Sequence, residues 1–217
     1  MKALLLALAV SAAAGARAAP IDDLVMAAEM NDPRTVVALL LKGVDPNLAD
    51  ARGRTALFTA VREGSQRALD SLLVAPQLQV DTVNADGETP LMLAAIRGSL
   101  PAAQALVKRG AAVNRKGWTP LHYACSGPDN GVAAFLIGQG AELNARSDNG
   151  TTPLMMAARY GNADLVPLLL KAGAEPRAAN EQELTAADFA QRSGRDKIAA
   201  QLRQAMAERQ RAGASEK

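Results

Sequence analysis

The sequence has one cysteine, Cys125, and one histidine, His122. A lone cysteine cannot close a disulfide within the chain, and the pair falls short of the four ligands of a structural zinc site or the three of a catalytic one. No metal and no cofactor are therefore expected. Aromatic residues are scarce, 3% of the 217 positions, while hydrophobic residues make up 49%. The core must then be aliphatic, and an apolar share this high excludes a disordered chain. Charge of one sign is also lacking: 24 basic residues oppose 22 acidic ones. A net +2 is too small for the electrostatic footprint of a nucleic-acid binder, so no nucleic acid is expected as a partner. The carboxylates show no pair at recurring spacing, which leaves general acid-base chemistry without a candidate. Phosphate-binding glycine loops, nucleophile elbows and metalloprotease helices are likewise missing. These absences point away from an enzyme.

What is present begins with a leader. Met1-Lys2 gives a positive start, residues 3–14 are almost unbroken apolar, and Ala16-Arg17-Ala18 has the small-x-small form that a signal peptidase reads. The apolar run is too short to cross a bilayer, which takes about twenty residues. Residues 1–18 are thus expected to be a cleaved signal peptide, with the mature chain starting at Ala19, exported and not inserted in the membrane. Loss of Lys2 and Arg17, and of no acid, brings the net charge from +2 to zero. The alanine-rich leader and the preference for arginine over lysine point to a bacterial source, so the mature chain is expected to be periplasmic or secreted.

The rest of the chain repeats itself. Thr55, Thr89, Thr119, Thr152 and Thr185 stand 34, 30, 33 and 33 residues apart, the middle three opening Thr-Pro-Leu. A period near 33 marks a repeat architecture. Threonine can cap a helix and proline fill its first position, so each threonine predicts a sharp helix start. The pairs Ala94-Ala95, Ala124-Cys125 and Ala157-Ala158 allow close helix approach. Gly98 and Gly161 are expected to close first helices in the left-handed conformation, and Gly110, Gly140 and Gly173 to end second helices in the same way. Pro76 and Pro128 stand where other units have such a glycine, and proline cannot take a positive φ, so both turns must be rebuilt. Polar, turn-rich segments at 43–53 and 140–150 connect the helix pairs.

The segments Gly117-Trp118-Thr119-Pro120-Leu121-His122-Tyr123-Ala124 and Asn149-Gly150-Thr151-Thr152-Pro153-Leu154-Met155-Met156-Ala157-Ala158 resemble the ankyrin repeat family, as does the loop Gly140-Ala141-Glu142-Leu143-Asn144-Ala145. The resemblance covers roughly residues 21 to 205 and implies an all-α fold, an ankyrin-repeat solenoid of about six stacked helix pairs joined by β-hairpin-like finger loops. The repeat domain is expected over 19–206. It has an N-capping repeat at 21–50, repeats starting near 52, 86, 116 and 149, a C-capping repeat at 182–206, and a frayed polar tail over 207–217. The finger between Asn114 and Thr119 is three residues shorter than that between Asn144 and Thr152, so it should be stubby.

The resemblance also implies a role for particular residues. His122, after the Thr-Pro-Leu start, is expected to hydrogen-bond between repeats. Cys125 is expected to be buried filler rather than a reactive thiol. A concave surface that binds a folded protein is carried to Arg54, Glu88, Trp118 and Thr151 on the fingers. It continues over Arg62, Glu63, Ile96, Arg97, Arg159 and Tyr160 at the first-helix ends. Aromatic and arginine side chains dominate protein interfaces, which puts Trp118 first, then Arg97, Tyr160 and Arg159, followed by Arg62, Arg54 and Glu88. The expected function is a non-enzymatic protein-protein interaction module, monomeric alone, acting on a protein partner in the periplasm. A secreted effector, or an immunity-type inhibitor acting on a host or toxin protein, is the alternative.

Overall fold

A computed structural model describes residues 20–215, so the expected leader at 1–18 lies outside the described residues. Twelve helices are present among them. They run α1 (Pro20–Glu29), α2 (Pro33–Leu41), α3 (Ala56–Glu63), α4 (Gln66–Leu73), α5 (Pro90–Ile96) and α6 (Leu100–Lys108). The second half continues with α7 (Pro120–Ala124), α8 (Gly131–Gly138), α9 (Pro153–Tyr160), α10 (Leu165–Ala172), α11 (Ala186–Arg192) and α12 (Asp196–Ser215). Odd-numbered helices pack on one another in sequence from α1 to α11 and form a front row; α2, α4, α6 and α8 form a back row behind them. The chain is therefore an all-α stack of six helix pairs, with isolated bridges at Ala49 with Thr55 and Ala179 with Thr185 as its β pairing among the described residues.

The periodic threonines set the helix starts. The hydroxyls of Thr55, Thr89 and Thr152 accept from the backbone amides three residues on, at 3.3, 3.2 and 3.4 Å, each satisfying a donor that the first turn leaves free. At Thr119 and Thr185 the hydroxyl takes no such amide; the residue three positions on, His122 through Nδ1 or Asp188 through its carboxylate, accepts from the threonine amide and meets the hydroxyl as well. Asp32 caps α2 through the amides of Arg34 and Thr35, as its place before Pro33 suggests. Between the rows lies the expected aliphatic core: Leu57, Leu91, Leu121 and Leu154, one per unit after the threonine, are at most 1% exposed, with Leu69, Leu106, Leu136 and Leu169 behind them. Burial of each such side chain contributes roughly 1.5 to 3 kcal/mol.

The fingers share a turn chemistry. Asp50, Asn84 and Asn180 each accept two backbone N–H bonds across their own tips, and a backbone bond four residues long closes each finger. Side chains then tie loop to loop: Asn47 to the backbone of Gln79, Asp81 to Ala112, Asn114 to Glu142, and Asn144 to Glu175. The finger at 114–119 is short, and Arg115 leans back to donate to the Gly87 carbonyl at 2.8 Å.

Departures cluster at the helix ends. Gly98, Gly110, Gly140 and Gly173 take positive φ (66°, 103°, 82° and 111°), as expected, but Gly161 is extended, at φ −68° and ψ 165°. The reason lies in the next unit: Arg195 donates to the carbonyls of Ala157 and Ala158 at 2.9 Å and of Gly161 at 2.5 Å, so the end of α9 is capped by a guanidinium. At the turn rebuilt around Pro76, Arg109 serves α4 likewise, donating to Leu73, Ala75 and Pro76 carbonyls. At Pro128 the helix α7 stops after five residues, and Asn162 donates to the Pro128 carbonyl. Gly127 there approaches α5 so closely that a Cβ would stand 2.9 Å from the Ala95 carbonyl oxygen. In the segment expected as a polar tail, α12 continues past Ala207 to Ser215, and Arg209 pairs with Glu175 at 3.1 Å.

Candidate functional site

Four front-row helix positions and one finger residue build one open pocket of about 430 Å³, a size that suits a bound side chain or small ligand. Ile96 comes from the end of α5, Trp118 from the short finger, Tyr123 from α7, and Met156 and Tyr160 from α9; His122 and Ser126 complete the lining. Three consecutive units thus contribute, and the wall is apolar because helix positions four and seven or eight after the threonine share one face.

Trp118 is held edge-on to His122 (centroids 5.2 Å apart, planes at 65°) and to Tyr123 (6.4 Å, 81°). Such aromatic pairs contribute about 0.5–1.5 kcal/mol each beyond burial, so the half-buried indole is fixed before anything binds. The short finger brings it there: with three residues fewer than the next loop, the chain turns directly from Asn114 into α7.

His122 lies beneath the pocket, fully buried. Its Nδ1 accepts from the Thr119 amide at 3.1 Å, and its Nε2 stands 2.9 Å from the Thr151 carbonyl in the next unit. A carbonyl only accepts, so Nε2 carries the proton and the ring is the neutral tautomer. Burial holds its pKa below the ordinary histidine value. Tyr123 is pushed up to about 12, by burial first and by the Glu88 carboxylate second, so it stays a neutral phenol. Burial also pushes the Cys125 thiol far up; with 0% exposure it packs as a small apolar residue.

The structure brings together some of the residues expected at the binding surface and disperses others. Trp118, Ile96 and Tyr160 meet in the pocket, and Arg159 lies over the Tyr160 ring, its guanidinium carbon 4.9 Å from the centroid. Arg97 is exposed beside Ile96 without lining the pocket. Glu88 accepts from Asn84 Nδ2 at 2.9 Å and faces Tyr123. Arg62 belongs to α3, away from the pocket, and pairs with its neighbour Glu63 at 2.9 Å. Arg54 bridges Asp50 at 2.8 Å and Glu29 at 3.0 Å, tying the first finger to α1. Thr151, expected on the surface, is buried: its carbonyl receives His122, and its amide donates to Ser147 Oγ at 3.0 Å. Tyr123 and Met156 were not expected, although their place four residues after the threonine was a usable signal.

Among the described residues no group of three or more histidine, cysteine, aspartate or glutamate side chains could hold a metal ion, and no helix is long and apolar enough to cross a membrane.

Comparison with known proteins agrees with this geometry. Models described as ankyrin repeats in three copies match residues 24–116 and 64–147, and one described as ankyrin repeats in many copies matches 137–190. The chain is 34% identical over 114 residues to ankyrin repeat and SAM domain-containing protein 6 of Rattus norvegicus, covering 51% of this chain and 13% of that one. It is 34% identical over 93 residues to protein phosphatase 1 regulatory subunit 27 of Mus musculus (42% and 60%), and 35% identical over 107 residues to E3 ubiquitin-protein ligase KEG of Arabidopsis thaliana (46% and 6%). The chain thus spans between 6% and 60% of the length of these relatives. With family models reaching from residue 24 to residue 190 and six helix pairs stacked at the same period, this chain belongs to the ankyrin repeat family.

Proposed function

We propose that this protein is a non-enzymatic interaction module, exported to the bacterial periplasm, that docks a protein partner over the pocket of Ile96, Trp118, Tyr123, Met156 and Tyr160. The observation that carries the reading is Trp118: an indole fixed by two edge contacts yet left lining an open apolar pocket is a preformed anchor site. Tyr160, 54% exposed and lining the same pocket, adds a second aromatic surface. Membership of a repeat family whose relatives include a protein named as a phosphatase regulatory subunit supports a protein as partner. The leader composition of residues 1–18 supports export.

The test is affinity capture from a periplasmic extract with the wild-type chain and with Trp118→Ala plus Tyr160→Ala, after thermal melts confirm that both are folded. A partner recovered by the wild type and lost by the double variant is expected; equal recovery by both removes this pocket as the docking site. Fractionation with N-terminal sequencing tests the location, the expected outcome being a periplasmic chain that starts at Ala19.

A further inference from the structure

This inference rests on the docking role proposed above and concerns the chemistry of what docks. Arg159 and Tyr160 are adjacent at the end of α9, yet they serve two cavities. Tyr160 closes the apolar pocket of Trp118; Arg159 lines a second cavity of about 220 Å³ with Arg192, Gln182 and Phe189. Two exposed arginines lining one small cavity suit an anion, since each guanidinium offers planar N–H donors that match a carboxylate.

Neighbouring acids do not fill that role. Asp188, the carboxylate whose field meets Arg192, is committed to Thr185, accepting its amide at 2.8 Å and its hydroxyl at 2.6 Å. Glu181 and Glu183, on the same finger as Gln182, are exposed and do not line the cavity. The Arg159 guanidinium carbon lies 4.9 Å from the Tyr160 ring centroid, a cation–π contact that uses the π-face of the ring and none of the guanidinium's N–H donors. Arg97, next in sequence to the pocket residue Ile96, is also exposed.

We propose that the partner presents a short acidic segment, in which an aromatic or large aliphatic side chain enters the Trp118 pocket and a nearby carboxylate seats between Arg159 and Arg192. The cavities share adjacent residues, and an extended chain advances about 3.3 Å per residue, so anchor and carboxylate stand within about three residues of each other.

A random-peptide phage library panned on the purified full chain supplies the probe. Selected peptides are expected to pair a large apolar residue with Asp or Glu at that spacing. In fluorescence polarisation, Arg159→Gln plus Arg192→Gln should weaken a selected peptide about fivefold, as two exposed ion pairs allow. Raising salt to about 0.5 M should weaken the wild type in the same direction and the double variant much less. Peptides lost on Tyr160→Ala but showing no acidic enrichment and no response to the arginine changes overturn this inference and leave the docking pocket standing. Peptides indifferent to both Tyr160→Ala and Trp118→Ala overturn the docking site itself. A library that yields no binding peptide overturns the linear acidic segment.

Discussion

His122 has both ring nitrogens engaged, one within its own unit and one with the next, so a proton has no place to go without breaking a bond. Its folded pKa lies below 6.5, chiefly through burial. Above the unfolded value of about 6.5 neither state is charged and the native bonds are at full strength; as pH falls through that value, the unfolded chain takes a proton that the folded chain refuses, and stability is lost. It is the single histidine, which leaves the window from pH 7 to 5 clear of other imidazoles. Asp32 and Asp188, held low first by threonine hydroxyl bonds, contribute stability that is lost only below their ordinary value of 3.8. Asp50 falls in that lower window too: burial opposes its ionisation, but the Arg54 and Arg52 bonds prevail. The melting temperature should therefore drop between pH 7 and 5, and His122→Met should flatten that drop, methionine being the residue at the same place in the units of Thr89 and Thr152. The variant should start about 1 kcal/mol less stable at pH 7, for the lost bond to Thr151; an unchanged slope would show that His122 does not set it. Thr59 offers the opposite case. Its hydroxyl oxygen is buried without a hydrogen-bond partner, so Thr59→Val should raise the urea midpoint by the equivalent of about 1 kcal/mol, and a lower midpoint would show that the hydroxyl is satisfied in solution.

Helix ends decide how one unit grips the next. Where a left-handed glycine ends a helix, the carbonyls of its last turn are met locally; where proline or an extended glycine stands instead, a side chain of the following unit reaches back. Arg109 does this for α4 and Arg195 for α9, each from more than thirty residues away. Replacing either by methionine keeps much of the apolar stem but leaves partly buried carbonyls unmet, at an expected cost of about 2 to 3 kcal/mol in chemical denaturation. Arg97→Met, at an exposed helix end, should cost under about 0.5 kcal/mol. Similar losses at all three would refute the capping role. The same contrast shows what the sequence made legible. Threonine period, capping threonines, turn glycines and the need to rebuild the turns at Pro76 and Pro128 follow from local rules that act within a few residues, whereas the partners that complete those two turns, Arg109 and Asn162, do not. The conformation of Gly161 does not, because it depends on Arg195, and no local rule links positions 34 apart. At the pocket, Trp118, Ile96 and Tyr160 were legible as the residues flanking each helix. Tyr123 and Met156 lie inside their helices, where the sequence reads as core, although the four-residue step that joins Met156 to Tyr160 puts both on one face. Thr151 was misplaced because its burial depends on partners outside its own helix start, the Ser147 hydroxyl on its amide and His122 of the preceding unit on its carbonyl.

Across the whole molecule the two rows are not equally tight. The front row packs closely from α1 to α11, whereas the back row is close from α2 to α8 and thinner where α8 meets α10 and α10 meets α12. A gap of about 430 Å³ lies between α10 and α12, lined by Pro167, Leu170, Gln201 and Gln204. In a stack where each unit is stabilised chiefly by its neighbours, local opening free energy follows the weakest shared face. Hydrogen exchange should accordingly find the amides of α10 and α12 exchanging well before those of α4 and α6, with α9 protected longer than its partner α10 because it is clasped between α7 and α11. Leu169, fully buried in α10, probes the coupling between the rows. Leu169→Ala should cost about 2 to 5 kcal/mol. It should accelerate exchange in α9 as well as in α10, because the Trp118 pocket wall stands on α9 and α10 backs it. Acceleration confined to α10 would mean that the front row holds its shape alone, and that the binding surface is indifferent to the helices behind it.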